Sequence, residues 1–156
     1  MNAATFFALW RVRLGYPLAI IVLWLARPSL RSILAGAIAA AVGLWIRASA
    51  AGHLRKKEVL TVTGPYAFTR NPLYLGSFLL MMGAALAAHS WWSALILFAY
   101  FALFYSFVMR REERELFQHH GGAFREYART VPLFFPRVTA AKSAPGDAGG
   151  FSVAQY

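Results

Sequence analysis

Four apolar runs fill most of the first 108 residues, and they constrain the fold more than any other feature. They are 14–26, 32–51, 73–88 and 91–108. The first can be extended back to Thr5 across Arg11 and Arg13, and the second is interrupted late by Arg47. An α-helix needs about 20 mostly apolar residues to cross a bilayer, and shorter helices cross by snorkelling and with flanking anchors. The runs therefore predict an all-α polytopic membrane protein with about four transmembrane helices. Composition agrees. The chain is 59% hydrophobic and only 14% charged, and a soluble domain of 156 residues rarely covers itself with so few polar groups. Residues 1–139 read as one domain and the small, polar, Gly-rich stretch 140–156 as a disordered tail.

Charge placement predicts the topology. The third and fourth runs are joined only by His89 and Ser90, which makes that turn external. Arg55, Lys56, Lys57 and Arg70 precede the third run, and Arg110, Arg111, Arg114, Arg125, Arg129, Arg137 and Lys142 follow the fourth. Both regions are expected in the cytoplasm, with both termini, in a bacterial inner membrane. The net charge of +10 fits contact with anionic lipid, with no nucleic-acid partner implied. Trp91 and Trp92 read as an external interface belt. No small-x-small cleavage pattern follows the first run, so it does not read as a cleaved signal peptide. Small residues in the second and third runs, among them Gly36, Gly43, Gly76 and Gly83, predict close helix packing.

Chemistry-bearing groups collect on the cytoplasmic side. The absence of cysteine excludes disulfides, thiolate metal sites and cysteine nucleophiles. His53, His119 and His120 lack a metal-ligand spacing with carboxylates, so no metal site is expected. Three of the six acids, Glu112, Glu113 and Glu115, lie just past the fourth run. On a helix leaving the bilayer, Glu112 and Glu113 differ by about 100° and can border one cavity; a solvated charged turn is the plain alternative. The loop "GPYAFTRNPLYLG", 64–76, must lie beside them, because a tight hairpin returns the chain to the same side. Gly64 and Pro65 predict a turn, and Pro72 the first residue of the next helix. Together the two stretches offer donors for an anion, acceptors for a cation and an apolar wall, which suits a zwitterion.

At these residues the sequence resembles the integral-membrane methyltransferases of the isoprenylcysteine carboxyl methyltransferase and phospholipid methyltransferase group. The matching positions are Gly64, Pro65 and Tyr66; Arg70, Asn71, Pro72, Tyr74 and Gly76; Glu112, Glu113 and Leu116; then Gly121, Tyr127, Pro132 and Pro136. They span 64–137. Asn71 stands where the eukaryotic enzymes often carry histidine, and His120 and Phe124 where Phe and Tyr are common.

The resemblance implies S-adenosylmethionine as methyl donor, in a cytoplasmic-side C-terminal pocket, and a lipophilic acceptor entering from the bilayer. It implies catalytic roles for Arg70, Glu112 and Glu113. It implies donor contacts from Gly64, Tyr66, Arg70, Asn71, Pro72, Tyr74, Glu112, Glu113, Leu116 and Tyr127. Two rival readings stand beside it: a nicotinamide-dependent membrane reductase of steroid-reductase type, and a non-catalytic small membrane protein. The topology is testable by reporter fusion. A periplasm-active phosphatase fused at His89 is expected to be active, and one fused at Thr139 silent; the reverse pattern would overturn the orientation.

Overall fold

The structure, a computed structural model, describes residues 3–53 and 60–140, with side chains undescribed for 3–9, 11 and 12. The basic run at 55–57 and all but the first residue of the expected tail lie outside the described residues. Four α-helices run α1 (Ala3–Leu25), α2 (Leu30–His53), α3 (Pro72–Ala88) and α4 (Trp91–Thr130), and the described residues contain no strand. α2 and α4 are long and apolar enough to cross a membrane, whereas α3 and the apolar part of α1, Arg13–Leu25, are shorter. At 1.5 Å per residue, the 17 residues of α3 rise roughly 25 Å, a little less than a hydrocarbon core. α1 does extend back across Arg11 and Arg13. α4 runs far past the apolar 91–108, through Glu112 and Glu113, and breaks at Gly121. There φ is +49°, a left-handed conformation that glycine adopts without steric cost.

Two compact units are distinguished, residues 3–42 with 78–112, and residues 43–53 with 60–77 and 113–140. In the first, "PSLRS" starts α2 with a reciprocal cap: Ser29 N–H donates to Ser32 Oγ at 2.9 Å and Ser32 N–H to Ser29 Oγ at 3.2 Å. This satisfies donors that the first helical turn leaves open. His89, at φ +48°, makes the short turn between α3 and α4. α4 is tied to α1 by the fully buried Ser93, whose hydroxyl donates to Val22 O at 3.2 Å. α2 meets α3 where Gly36 faces Gly83 and Ala87. A Cβ at Gly83 would lie 2.6 Å from Gly36 O, and one at Gly36 3.0 Å from Ala87 N, so the small residues let the two backbones touch. The outer surface is apolar, with Trp24, Leu23 and Ile38 largely exposed. An apolar exterior of this kind calls for a lipid solvent.

The second unit packs the motif loop against the end of the chain. Phe124, Tyr127 and Val131 form its apolar cluster, with Leu60, Val62 and Leu116 against it. Residues 131–137 form a strap fastened by backbone groups. Arg70 N–H donates to Pro132 O at 3.0 Å and Arg137 N–H to Phe68 O at 3.0 Å. Thr69 Oγ1 donates to Phe134 O at 2.9 Å and Asn71 Nδ2 to Leu133 O at 3.0 Å. Thr69 and Asn71 are both buried, so each of these bonds satisfies groups that water cannot reach.

Two stability tests follow from this packing. Gly36→Ala inserts a methyl into a backbone contact, which costs about 1–3 kcal/mol against the ~1 kcal/mol that alanine gains in helix propensity. Gly122→Ala meets nothing within 4 Å. The thermal unfolding midpoint in detergent is expected to fall for Gly36→Ala and to hold or rise for Gly122→Ala. Asn71→Ala, which removes the side-chain bond to Leu133 O, is expected to cost about 0.5–1.5 kcal/mol and to speed proteolysis at the strap. Unchanged strap cleavage would remove Asn71 from this role.

Candidate functional site

Three local features place the site residues. The first is the loop ahead of α3. Gly64 has φ +59° and sits against the His53 ring, where a Cβ would come 2.6 Å from Nε2. Its conformation and its neighbour thus both require glycine, and the expected turn is a short 3₁₀ helix, Gly64–Ala67. The second is Pro72, which opens α3 as the spacing predicts. The third is α4, which carries Glu112 and Glu113 on continuous helix.

The structure brings Arg70 and Glu113 together. Arg70 Nη1 donates to Glu113 Oε1 in an ion pair whose side chains are 16% and 25% exposed. Arg70 Nε is buried with no hydrogen-bond partner. A buried donor left unpaired is costly, so an acceptor brought to Arg70 Nε would stabilise it. The pair offers a cation and an anion side by side, at the edge of an apolar cluster.

Glu112, one residue earlier on α4, is exposed. The two glutamates thus stand in different environments, Glu113 half-buried on Arg70 and Glu112 at the surface. His120 Nε2, about two turns later, is a second buried nitrogen without a partner among the described residues. Among the described residues, no group of three or more His, Asp or Glu is placed to hold a metal ion.

Several residues expected to touch a ligand make structural contacts within the protein. The buried Asn71 side chain donates to Leu133 O. The Tyr127 hydroxyl donates to Tyr66 O at 2.7 Å, and burial pushes its pKa well above the usual phenol value, with Tyr66 adding to the rise and Arg70 opposing it. The hydroxyl thus stays neutral and committed to the backbone. Leu116 packs on the Phe124–Tyr127–Val131 cluster. Phe124 belongs to that cluster, 5% exposed and edge-on to Tyr127, so a hydroxyl lost at this position leaves no polar gap. Tyr66 is buried, while Tyr74 lies half-buried in the first turn of α3.

Two features were not singled out from sequence. The strap is one. Pro132 and Pro136 mark the segment in sequence, but its bonds run to backbone carbonyls, which every sequence supplies, so how it fastens the loop leaves no trace. Arg47 is the other. It is half-buried on α2, and Nη1 donates to Leu73 O at 3.2 Å and also to Ser77 Oγ. Its signal was an arginine inside an apolar run, which in membrane helices is a functional candidate by default.

Comparison with known proteins places the chain. The pattern of the phospholipid methyltransferase family matches residues 10–122. This reaches into the N-terminal helices, which the motif resemblance did not cover, and stops short of Tyr127 and the strap. The nickel-cobalt-cadmium resistance protein NccN of Alcaligenes xylosoxydans xylosoxydans is 36% identical over 121 residues, 77% of this chain and 55% of that protein. The cobalt-zinc-cadmium resistance protein CzcN of Cupriavidus metallidurans is 34% identical over 139 residues, 83% of this chain and 63% of that one. The chain thus spans less than two thirds of the length of either relative. No solved structure matches. With the family pattern covering well over half its length and two relatives sharing a third of their aligned residues with it, the chain belongs to the phospholipid methyltransferase family, within the isoprenylcysteine methyltransferase-like group.

Proposed function

We propose that the protein is an S-adenosylmethionine-dependent membrane methyltransferase acting on a lipophilic acceptor. It would be a multi-pass protein of the bacterial inner membrane, with both termini and the donor site on the cytoplasmic side. The observation that carries the reading is the half-buried Arg70–Glu113 pair, in which Arg70 Nε is buried without a hydrogen-bond partner among the described residues. The amino-acid end of the donor is a zwitterion, and this pair is its complement: Arg70 would hold the carboxylate and Glu113 the ammonium. The fit leaves net charge unchanged, so a half-buried pair can exchange partners without exposing a bare ion.

When bound, the donor supplies a methyl group on a sulfonium, already activated for direct displacement. The protein is left with alignment and the exclusion of water. Arg70 and Glu113 would fix one end of the donor. Asn71, Thr69 and Tyr127 would act one step back, by holding the loop that carries Arg70. The apolar outer surface of α2 and α4 would admit the acceptor from the bilayer.

The relatives are named for resistance to nickel, cobalt, cadmium and zinc. We infer that a protein of this kind would contribute to such resistance by modifying a membrane component, because the chemistry at Arg70 and Glu113 suits a zwitterion better than a divalent cation.

Titration of the detergent-purified protein by calorimetry tests the reading. S-adenosylmethionine and S-adenosylhomocysteine are expected to bind and NADPH not to. Arg70→Ala and Glu113→Gln are each expected to weaken binding at least tenfold, about 1.4 kcal/mol, with a smaller loss for Glu112→Gln. Binding of NADPH alone would turn the assignment to a reductase. Wild-type affinity in folded Arg70→Ala would show that the donor sits elsewhere.

A further inference from the structure

We propose that the far end of the strap, residues 135–138, is seated in the headgroup layer of the bilayer at the end where α3 begins. The segment that fastens the motif loop is then also a membrane anchor. The anchor stands on the shape of the second unit and does not depend on the methyltransferase reading.

The first observation is an apolar patch. Phe135 is 75% exposed and Val138 98%, and Pro136 between them is exposed as well. Single exposed apolar residues are ordinary on any protein surface, but these are gathered in one place. Arg137 N–H donates to Phe68 O, which brings the backbone of Phe68, itself 37% exposed, beside them. The Phe135 ring meets Phe134 edge-on, with 5.4 Å between centroids, yet most of it stays outside the core. Arg137 Nη1 donates to Thr130 O at the end of α4, so a positive charge is held next to the patch. Apolar side chains with arginine among them suit the boundary of a bilayer, where the apolar bodies meet acyl chains and the guanidinium meets phosphate.

The second observation is depth. The strap is bonded to residues 68–71: Arg137 to Phe68 O, Pro132 O to Arg70 N–H, Phe134 O to Thr69 and Leu133 O to Asn71. α3 begins at the next residue, Pro72, and its 17 residues rise roughly 25 Å, short of the ~30 Å hydrocarbon core. A helix that crosses with so little length has its ends at the hydrocarbon boundary. Residues 68–71, and the strap bonded to them, therefore lie at headgroup level.

The third observation is that α2 marks the same level. A Cβ at Gly76 would lie 2.7 Å from Gly43 O, so this turn of α3 lies against Gly43. The next residues on α2, Leu44 and Trp45, are 58% and 70% exposed, which calls for lipid around them. Gly76 stands one turn, about 6 Å, from Pro72. The lipid-facing side chains of α2 and the strap patch thus belong to one unit and to neighbouring depths, and one solvent accounts for both. The consequence for the motif loop is direct. Thr69, Arg70 and Asn71 are bonded to the strap, so lipid that holds the strap also holds the loop at a fixed depth.

Fluorescence quenching tests the proposal. The chain has no cysteine, so one introduced cysteine takes an environment-sensitive label at a single site. Labels at Phe135→Cys and Val138→Cys are read in nanodiscs of phosphatidylcholine and phosphatidylglycerol. Iodide in the buffer is expected to quench each label several-fold less than the free label. Lipid carrying a nitroxide at acyl carbon 5 is expected to quench each more strongly than lipid carrying it at carbon 12, as fits insertion about 5–10 Å into the headgroup and acyl boundary. Iodide quenching equal to that of the free label would leave the patch in water and overturn the proposal. Protection from both iodide and nitroxide lipids would show that protein covers the patch, a second copy or another segment of this chain, and would overturn it too. Stronger quenching from carbon 12 would put the strap in the hydrocarbon core, against the depth argued from α3. Val138→Cys replaces a side chain that is almost fully exposed, so it decides the outcome even where Phe135→Cys loosens the strap.

Discussion

A charge in a half-buried place needs an opposite charge, and Arg70 and Glu113 supply one another. Removing one partner from a fully buried pair costs about 3–5 kcal/mol, and less here because both side chains keep some exposure. The pair also closes a long loop, since 43 positions separate its members. It therefore sets where the motif loop meets α4, and everything proposed for the site inherits that register. An apolar pair would fasten the same two elements as well or better. A retained ion pair makes more sense where the charges have a second partner to receive.

The loop bearing Arg70 would not keep its shape by that bond alone. Its flanking residues, Thr69 and Asn71, turn inward and bond to consecutive carbonyls of the strap, while Arg70 N–H takes Pro132 O. Three successive residues thus anchor the loop by backbone groups or short side chains. The long arginine side chain is left to face Glu113. Tyr127 fastens the preceding turn through Tyr66 O, beneath an apolar cluster that keeps water from competing. The polar residues of the motif accordingly divide into those that hold the loop and those that remain to meet a ligand.

Much of this was legible in sequence and some was not, for physical reasons. The start of α3 at Pro72 and the His89–Ser90 turn followed from a missing amide proton and the lack of charge between two apolar runs. That Arg70 and Glu113 are neighbours followed from their places at the two ends of one hairpin, whereas their direct pairing did not. The length of α4 did not follow, because hydropathy falls at Arg110 while helix propensity does not, and only Gly121, with its positive φ, interrupts the helix. Asn71 and Tyr127 were expected to face a ligand, but burial directs their polar atoms to the backbone. Sequence shows that a polar group exists and not which of several nearby acceptors it meets.

The role of Asn71 bears on what kind of acceptor the site suits. A histidine at position 71 would bring a titratable group to the loop, yet the bond made there is donation to the Leu133 carbonyl, which an amide performs at any pH. The substitution therefore removes a possible base without loosening the loop. Glu113 is held by Arg70 and, in the donor-bound state proposed above, by an ammonium. A protonated amine acceptor would then have no half-buried base at the pair to take its proton, whereas an acceptor that arrives ionised needs none. The amide at position 71 and the engagement of Glu113 by Arg70 thus favour, in the reading proposed above, an acceptor that is already ionised over one that must lose a proton.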